Sequence, residues 1–348
     1  MTLPGGESQI SASQIRDEFG PTESSNKVAL GEYRVEKNFG ELSEIPLDEG
    51  IPQGNNPISF DHFHGKKLNV IVDYYTSKYT DYTRESEGEA MNIRDRFTSG
   101  TDVATVSAGH KTYDKEDSSE TKVIVHVNRK LGGEKSGNAA VCALRTGSGW
   151  ESDTEMIIDV GNEGRIYGAG GNGGRGGDTD AAGDDGQTGT SGLGISLANV
   201  VVNVASEGVI RAGFGGGGGG GSGRQRDKGS DRRAGGGGGG GGQGFPAGEG
   251  GAEGNGNGGE AQPGTDGSLN EHGEGGERAQ NASQAYGGDG GEGGMFGNEA
   301  NDGAQAEYAK GEGGGDGAAI RVSGNGSFEL NKSSGAEVDG STSATGVS

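Results

Sequence analysis

Glycine recurs at every third position over two long stretches in the second half of this chain. Between residues 168 and 192 it occupies each third position, and Asp180 is the single interruption. From residue 273 to residue 309 each third position is Gly or Ala, thirteen times in succession. A repeat of three matches the three residues per turn of a polyproline II helix, and it fits neither an α-helix nor a β-strand. The pattern therefore predicts left-handed glycine helices, each with a bare ridge along which a neighbour packs.

Two uninterrupted glycine tracts lie at residues 215–221 and 235–242, and a helix formed by either tract would have no side chain on any face. This is what a helix surrounded by other helices requires. A collagen triple helix is excluded because it needs frequent proline, and no proline occurs between Pro57 and Pro246. A flexible glycine linker is the alternative, since ordering glycine costs on the order of 1–2 kcal/mol of backbone entropy per residue. Only dense lateral hydrogen bonding offsets that cost.

The glycines also divide the chain. Of the 80 glycines, 16 lie in the first 160 residues and 61 lie between residues 161 and 330. Helix-capping patterns occur in the first 66 residues, and the runs rich in β-branched residues follow them. We therefore predict an N-terminal attachment segment (1–66), a small β domain (67–160), a glycine-rich domain (161–330) and a C-terminal tail (331–348).

Short capped helices are predicted in the N-terminal segment. Ser11 and Gln14 have the spacing of a capping box, with Ile10 and Ile15 as hydrophobic staples. The same pattern returns at residues 58–63, and a weaker copy lies at residues 28–33. Helices this short are marginal alone, so they must pack either on the rest of the chain or on a larger assembly.

Short runs rich in β-branched residues, separated by turn residues, predict the strands of a two-layer β-sandwich in residues 67–160. A repeat then leads into the glycine. Residues 159–168 align with residues 203–212, 44 positions later, and residues 321–328 form a looser third copy. Each copy predicts a strand, a tight turn and a second short strand, which we interpret as a clamp on one end of a glycine tract. The fold class is thus mainly β plus polyglycine II, with short N-terminal helices.

Composition excludes several classes of protein. The net charge of −23 and a pI near 4.6 argue against nucleic-acid binding. One cysteine excludes a disulfide framework and a cysteine-based zinc site. No apolar run is long enough to span a membrane, and the N-terminus lacks the features of a secretion signal. We find no catalytic constellation, and we expect no cofactor, no metal site and no enzymatic activity.

Interruptions of the glycine pattern predict loops, at residues 179–190, 224–233, 261–272 and 298–302. Loops on a rigid scaffold are where binding residues usually lie. The segment at 224–233 separates the two pure-glycine tracts and is rich in bases, so we expect it to form an exposed tip. The candidate contact residues for an anionic partner are Arg224, Arg226, Lys228, Arg232 and Arg233.

Several segments resemble a known family. They are ISASQIRDEFG at residues 10–20, VALGEYR at 28–34, ISFDHFHGK at 58–66 and ALRTGSGW at 143–150. Together with the repeat that leads into glycine, they resemble the glycine-rich tail-fibre and tail-tip proteins of tailed bacteriophages. The family usually has Tyr near His64 and Ser near Ala29, so this chain departs from the pattern there.

The resemblance implies a virion protein of the phage tail that presents loops on a rigid glycine-rich scaffold for host attachment. Its implied partners are other phage tail proteins and a bacterial surface glycan or outer-membrane protein, and tail fibres are commonly homo-oligomers, usually trimers. The candidate residues that anchor the chain to the virion are Phe19, Tyr33, Phe60 and Phe63. A purely structural tail or fibre-junction component, and a tail-associated enzyme that degrades glycans, are the alternatives.

Overall fold

The structure, a computed structural model, is mainly β. It describes residues 5, 9–20, 30–34, 36–39, 42–48, 50–74, 82–83, 91–106, 113–119, 121–227, 230–257, 260–279 and 285–347.

The N-terminal part contains short helical turns and one hairpin. Helix α1 (Ala12–Phe19) begins after Ser11, whose hydroxyl accepts a hydrogen bond from the Gln14 N–H at 3.3 Å. The Gln14 side chain in turn accepts from the Ser11 N–H at 2.8 Å, which confirms the predicted capping box. Single 3₁₀ turns cover Leu30–Tyr33 and Phe60–Phe63, and β1 (Glu36–Phe39) pairs antiparallel with β2 (Leu42–Pro46). Residues 28–29 of the weaker predicted copy lie outside the described residues.

The other described strands and one further helix follow in chain order. They are β3 (Leu68–Asp73), β4 (Tyr82–Thr83), α2 (Ile93–Ser99), β5 (Val103–Thr105), β6 (Thr121–Val127), β7 (Lys130–Gly132), β8 (Cys142–Arg145), β9 (Glu155–Val160), β10 (Arg165–Tyr167), β11 (Ser191–Ile195), β12 (Val200–Val204), β13 (Val209–Arg211), β14 (Gly223–Asp227), β15 (Ser230–Ala234), β16 (Ile320–Val322), β17 (Phe328–Lys332), β18 (Glu337–Asp339) and β19 (Ala344–Thr345).

Successive strands visit three sheets in turn, so the chain winds as a three-sided parallel β-helix. One coil is β9, β10 and β11, the next is β12, β13 and β16, and the last is β17, β18 and β19. The three sheets have the strand orders β17-β12-β9-β6-β3-β5, β18-β13-β10-β7-β4 and β19-β16-β11-β8. Within them every described pair is parallel except β3 with β5.

The two-layer sandwich predicted for residues 67–160 is therefore wrong, because its strands are divided among three parallel sheets. Runs of β-branched residues fit any pleated surface, and the sequence of one run does not say which other run it pairs with. Strands on both sides of residue 160 share all three sheets. The division of the chain into domains stays a prediction.

Strand register explains the 44-residue repeat. Asp159 lies opposite Asn203, and Ile166 lies opposite Ile210, so the first two copies are stacked coils. Asn203 in turn lies opposite Asn331, and Ile210 lies opposite Val338. The third copy therefore begins at Asn331 and not at residue 321. It escaped the alignment because little beyond an apolar residue and a turn is common to the copies.

The β-helix encloses the main hydrophobic core. Ile158, Ile166 and Leu193, one from each sheet, are completely buried in it. A second core lies under the N-terminal part, where Phe19 and Phe63 pack with Leu68 at the start of β3. Strand β3 lies between the two cores, so both of its faces are buried. This explains why its sequence is a nearly continuous apolar run.

Most of the glycine is inserted between strands of the β-helix. Residues 168–190 separate β10 from β11, and residues 212–319 separate β13 from β16. Both insertions leave and re-enter the β-helix between the same two sheets. The predicted clamps thus correspond to coils that hold the ends of the insertions.

Candidate functional site

The glycine segments are joined laterally by backbone hydrogen bonds at intervals of three residues. Gly171, Gly174 and Gly177 donate to the carbonyls of residues 214, 217 and 220, each at 2.8 Å. The same residues accept at 2.8 to 3.0 Å from the N–H groups of residues 242, 239 and 236 on another segment. Ten segments are linked in this way: 168–179, 181–190, 213–222, 235–244, 246–255, 261–268, 273–279, 286–294, 298–304 and 308–317. We call this set the glycine lattice.

Two segments, 213–222 and 235–244, are the central tracts of the lattice. Backbone hydrogen bonds connect each of them to six other described segments. A Cβ atom at Gly219 would lie 2.0 Å from the carbonyl oxygen of Arg175, and one at Gly238 would lie 2.0 Å from that of Gly251. Glycine is therefore required in these tracts because no side chain fits between the segments.

The surface of the lattice is closed by short polar side chains. Asp178, Asp185 and Asp289 each accept a hydrogen bond at 2.8 to 2.9 Å from a backbone N–H of the adjacent segment. The backbone N–H of Asn255 is the main reason why the pKa of Asp178 is lowered. These side chains take the place of a further segment, so the outermost N–H groups stay paired.

Three of the predicted loops belong largely to the lattice. In residues 179–190, Gly183, Gly186 and Gly189 donate to a neighbouring segment at 2.8 to 3.0 Å. Residues 261–268 and 298–302 are likewise hydrogen-bonded to their neighbours. The loop prediction was wrong there because polar residues at the outer positions of a packed segment look like a loop in the sequence.

The base-rich segment forms a hairpin at the end of the lattice away from the β-helix. Its strands β14 and β15 pair antiparallel, with Arg224 opposite Arg233 and Gln225 opposite Arg232. Because side chains alternate along a strand, Arg224, Arg226 and Arg233 share one face and Arg232 lies on the other. Lys228 lies outside the described residues. We call residues 223–234 the tip hairpin.

An ion-pair network fixes two of the predicted contact residues. Arg224 donates two hydrogen bonds to the Asp231 carboxylate, from Nε at 2.7 Å and from Nη2 at 2.6 Å. The Nη1 atom of Arg224 lies 3.3 Å from Asp180 Oδ1. Arg233 Nη2 lies 2.9 Å from Asp231 and 3.0 Å from Asp180. The Tyr308 hydroxyl donates to Asp180 at 3.0 Å. These five residues, Asp180, Arg224, Asp231, Arg233 and Tyr308, form what we call the tip clamp.

The clamp shifts the pKa values of two of its members, Arg224 and Asp231. Hydrogen bonds from Arg224 are the first cause that lowers the pKa of Asp231, to about 2. The same bonds raise the pKa of Arg224 above its ordinary value. Both groups are therefore charged at neutral pH.

Sequence reasoning did not identify Asp180, Asp231 and Tyr308. Asp180 left a signal, since it is the one break in the glycine period, and the structure places it at φ 62° in the turn that ends the first lattice segment. Tyr286 is also near the tip hairpin, and its ring is half exposed beneath the Arg278 guanidinium at 5.5 Å. Nothing in its sequence context distinguishes it from a packing residue.

The other two predicted contact residues in the described part of the chain are not engaged by the clamp. Arg226 is exposed and Arg232 is partly exposed, and neither forms an ion pair with a described residue. They remain available to a ligand.

Three of the four candidate anchor residues lie inside the second core. Phe19, Tyr33 and Phe63 are completely buried, and their ring centroids are 5.8 to 6.4 Å apart. Phe60, by contrast, exposes 39% of its surface. In this conformation Phe60 is therefore the only one of the four that a partner can reach.

No described helix is long and apolar enough to cross a membrane. Within the described ranges, no group of three or more His, Cys, Asp or Glu residues is arranged to hold a metal ion.

These features define a mainly β structural protein. Its β-helix carries the hydrogen-bonded glycine lattice, and the lattice carries a charged hairpin at its far end. The family model for phage tail fibre adhesin Gp38 matches residues 89–342, well over half of the chain, and the chain belongs to this family. It is a tail-fibre protein of the phage virion involved in host attachment, which confirms the resemblance, the location and the function expected from the sequence. No curated protein and no solved structure matches the chain.

Proposed function

We propose that the glycine lattice is a rigid bundle of polyglycine II helices that presents the tip hairpin to the bacterial surface. The observation that carries this proposal is that each central tract is bonded to six neighbours at three-residue intervals. Three residues per turn is the repeat of polyproline II, in which the backbone has no internal hydrogen bonds and all its groups point outward. Such groups are available for lateral bonds in every direction.

The backbone conformation supports the same assignment. Polyproline II has φ near −75°, and none of the described glycines between residues 161 and 294 has a φ in the left-handed region. At about 3.1 Å per residue, the ten residues of a central tract would span about 31 Å. The lattice would therefore carry the hairpin well away from the β-helix.

The charge of the hairpin supports contact with anions. In a chain with a net charge of −23, Arg226 and Arg232 place positive charge at the far end, where no described carboxylate pairs with it. An acidic protein repels anionic surfaces in general, so a local cationic site favours one orientation of approach. The proposed receptor is an anionic surface glycan or an outer-membrane protein with exposed carboxylates.

The N-terminal segment is proposed to attach the chain to other tail proteins. Of the four candidate anchors, only Phe60 is exposed, so the proposed contact narrows to Phe60 and the 3₁₀ turn that carries it. The family suggests a structural, non-enzymatic protein. The trimeric state implied by the resemblance is tested by light scattering of the purified chain.

The test of receptor contact is adsorption of phage carrying Arg226→Ser with Arg232→Ser. We expect adsorption at low ionic strength to slow about tenfold or more, since charge steering of this kind changes association rates by that factor. The matched control is Lys122→Ser with Lys332→Ser, which removes the same charge from the β-helix. Equal adsorption of both variants would refute receptor contact by the hairpin. If antibodies against residues 224–233 also failed to label intact virions, the structural-junction alternative would replace it.

A further inference from the structure

We infer that the tip clamp positions the recognition surface and that Arg224 and Arg233 are positioning residues which do not contact the receptor. This inference rests on the proposed function, because it assigns different roles to bases that the sequence grouped together. It reassigns two of the five predicted contact residues.

The clamp joins three separate parts of the chain. Asp180 belongs to the turn after the first lattice segment, Arg224 and Arg233 belong to the two strands of the hairpin, and Tyr308 begins the last lattice segment. Asp180 and Tyr308 are 128 positions apart in sequence. Backbone hydrogen bonds of Ser222 with Ala181 and Tyr308 join these parts at the base of the hairpin, and the side chains of the clamp extend the connection along its strands.

The arginines and carboxylates of the clamp bind mainly to one another. Arg224 directs Nε, Nη1 and Nη2 at the two carboxylates, and each carboxylate forms an ion pair with both arginines. Two positive charges meet two negative charges, so the clamp offers an anion no net attraction. The side chain of Arg224 is only 16% exposed, which also limits access to it.

The tip hairpin needs such support. A two-stranded hairpin is at best marginally stable in water by itself. Beyond its base, the described backbone of the hairpin is held chiefly by Asn257, which accepts from the Arg233 N–H at 2.8 Å and donates to the Asp231 carbonyl at 3.2 Å. The bidentate Arg224–Asp231 pair crosses the two strands, and the contacts of Arg224 and Arg233 with Asp180 tie both strands to the lattice. Bidentate arginine–carboxylate pairs fix orientation as well as distance.

Removing the acids distinguishes positioning from contact, because the two roles predict opposite results. In the variant Asp180→Asn with Asp231→Asn, the arginines lose their partners and the tip becomes more positive. If Arg224 and Arg233 contacted an anionic receptor, adsorption would become faster. If the clamp positions the hairpin, adsorption slows at least tenfold, and amide exchange in residues 223–227 and 230–234 becomes at least tenfold faster while residues 213–221 are unchanged.

The control is Glu307→Gln, which removes an exposed acid beside Tyr308 without touching the clamp. We expect its adsorption and exchange to stay within twofold of the parent. Unchanged hairpin exchange in the Asp180→Asn, Asp231→Asn variant, or faster adsorption, would overturn the inference. Faster exchange with normal adsorption would show that the clamp orders the hairpin but does not position a contact surface. If the Arg226→Ser, Arg232→Ser variant also adsorbed normally, the proposed function would fail separately.

Discussion

Replacing Gly219 with alanine tests whether the glycine lattice is packed as the structure describes. The new Cβ would lie 2.0 Å from the Arg175 carbonyl oxygen, where an ordinary contact is at least 3.4 Å. Overpacking of this kind costs about 1–3 kcal/mol. The N–H of Gly219 donates to the backbone carbonyl of Asp184 at 2.9 Å, and the carbonyl of Gly219 accepts from the N–H of Gly311 at 2.8 Å. Loss of both bonds adds about 1 kcal/mol each.

Alanine also restricts the unfolded chain, which returns about 0.4–1 kcal/mol. The net expectation for Gly219→Ala is a loss of roughly 2–4 kcal/mol in the free energy of opening the lattice. The matched control is Gly315→Ala, whose Cβ would meet nothing closer than 3.9 Å, from Thr188. Because only the unfolded-state effect remains there, this variant should be stabilised by about 0.4–1 kcal/mol.

Native-state hydrogen exchange measures both effects at the amides of the central tracts. At 1.36 kcal/mol per factor of ten, Gly219→Ala should exchange roughly 30- to 1,000-fold faster than the parent. Gly315→Ala should exchange at the parental rate or more slowly. Equal exchange in the two variants would refute close packing of the segments, and fast exchange in the parent itself would favour the flexible-linker alternative.

Three other predictions follow from local contacts. Asp178→Ala should lower stability by about 1 kcal/mol in thermal or denaturant unfolding, because a surface N–H loses its acceptor, while Asp178→Asn keeps the acceptor and should stay within about 0.5 kcal/mol. The pKa of Asp231 is lowered to about 2, so its contribution to tip order is complete above the unfolded value near 4 and is lost as the pH falls toward 2; the ratio of the measured exchange rate of the hairpin amides to their intrinsic rate at the same pH should rise only below about pH 4. Phe63→Ala should cost about 3–5 kcal/mol because it empties a buried site, whereas Phe60→Ala should leave unfolding unchanged and reduce incorporation of the chain into virions.

The sequence predicted the lattice better than it predicted the β-helix. The spacing of glycine predicted segments that pack side by side, and the lateral backbone hydrogen bonds recur at the same interval of three residues. The β-helix depends on which strands pair, and the residues of β6 or β9 fit a sandwich equally well. Only the 44-residue repeat contained that information, since Asp159 and Asn203 occupy the same position in successive coils. A repeat before a glycine tract was therefore evidence of a solenoid.

The candidate site was predicted in part. The described bases of residues 224–233, which are Arg224, Arg226, Arg232 and Arg233, do lie on a hairpin at the end of the lattice. What the sequence did not show was that two of them are neutralised, because one of the two acids that pair with them, Asp180, is more than 40 residues away from the hairpin in sequence. Contacts between distant segments follow from the fold, and the local clues were that Asp180 interrupts the glycine period and that Asp231 lies among the bases.

The acidity of the glycine-rich region also has a structural cause. The carboxylates that accept backbone N–H groups on the described lattice surface, such as Asp185, Asp266 and Asp302, are aspartates and not glutamates. A neighbouring segment lies one short side chain away, and the additional methylene of glutamate would carry the carboxylate past the N–H. Glutamates such as Glu312 instead occupy positions whose own N–H is the donor. The aspartates are thus part of the lattice, whereas a glutamate such as Glu312 contributes its backbone N–H and leaves its side chain at the exposed surface.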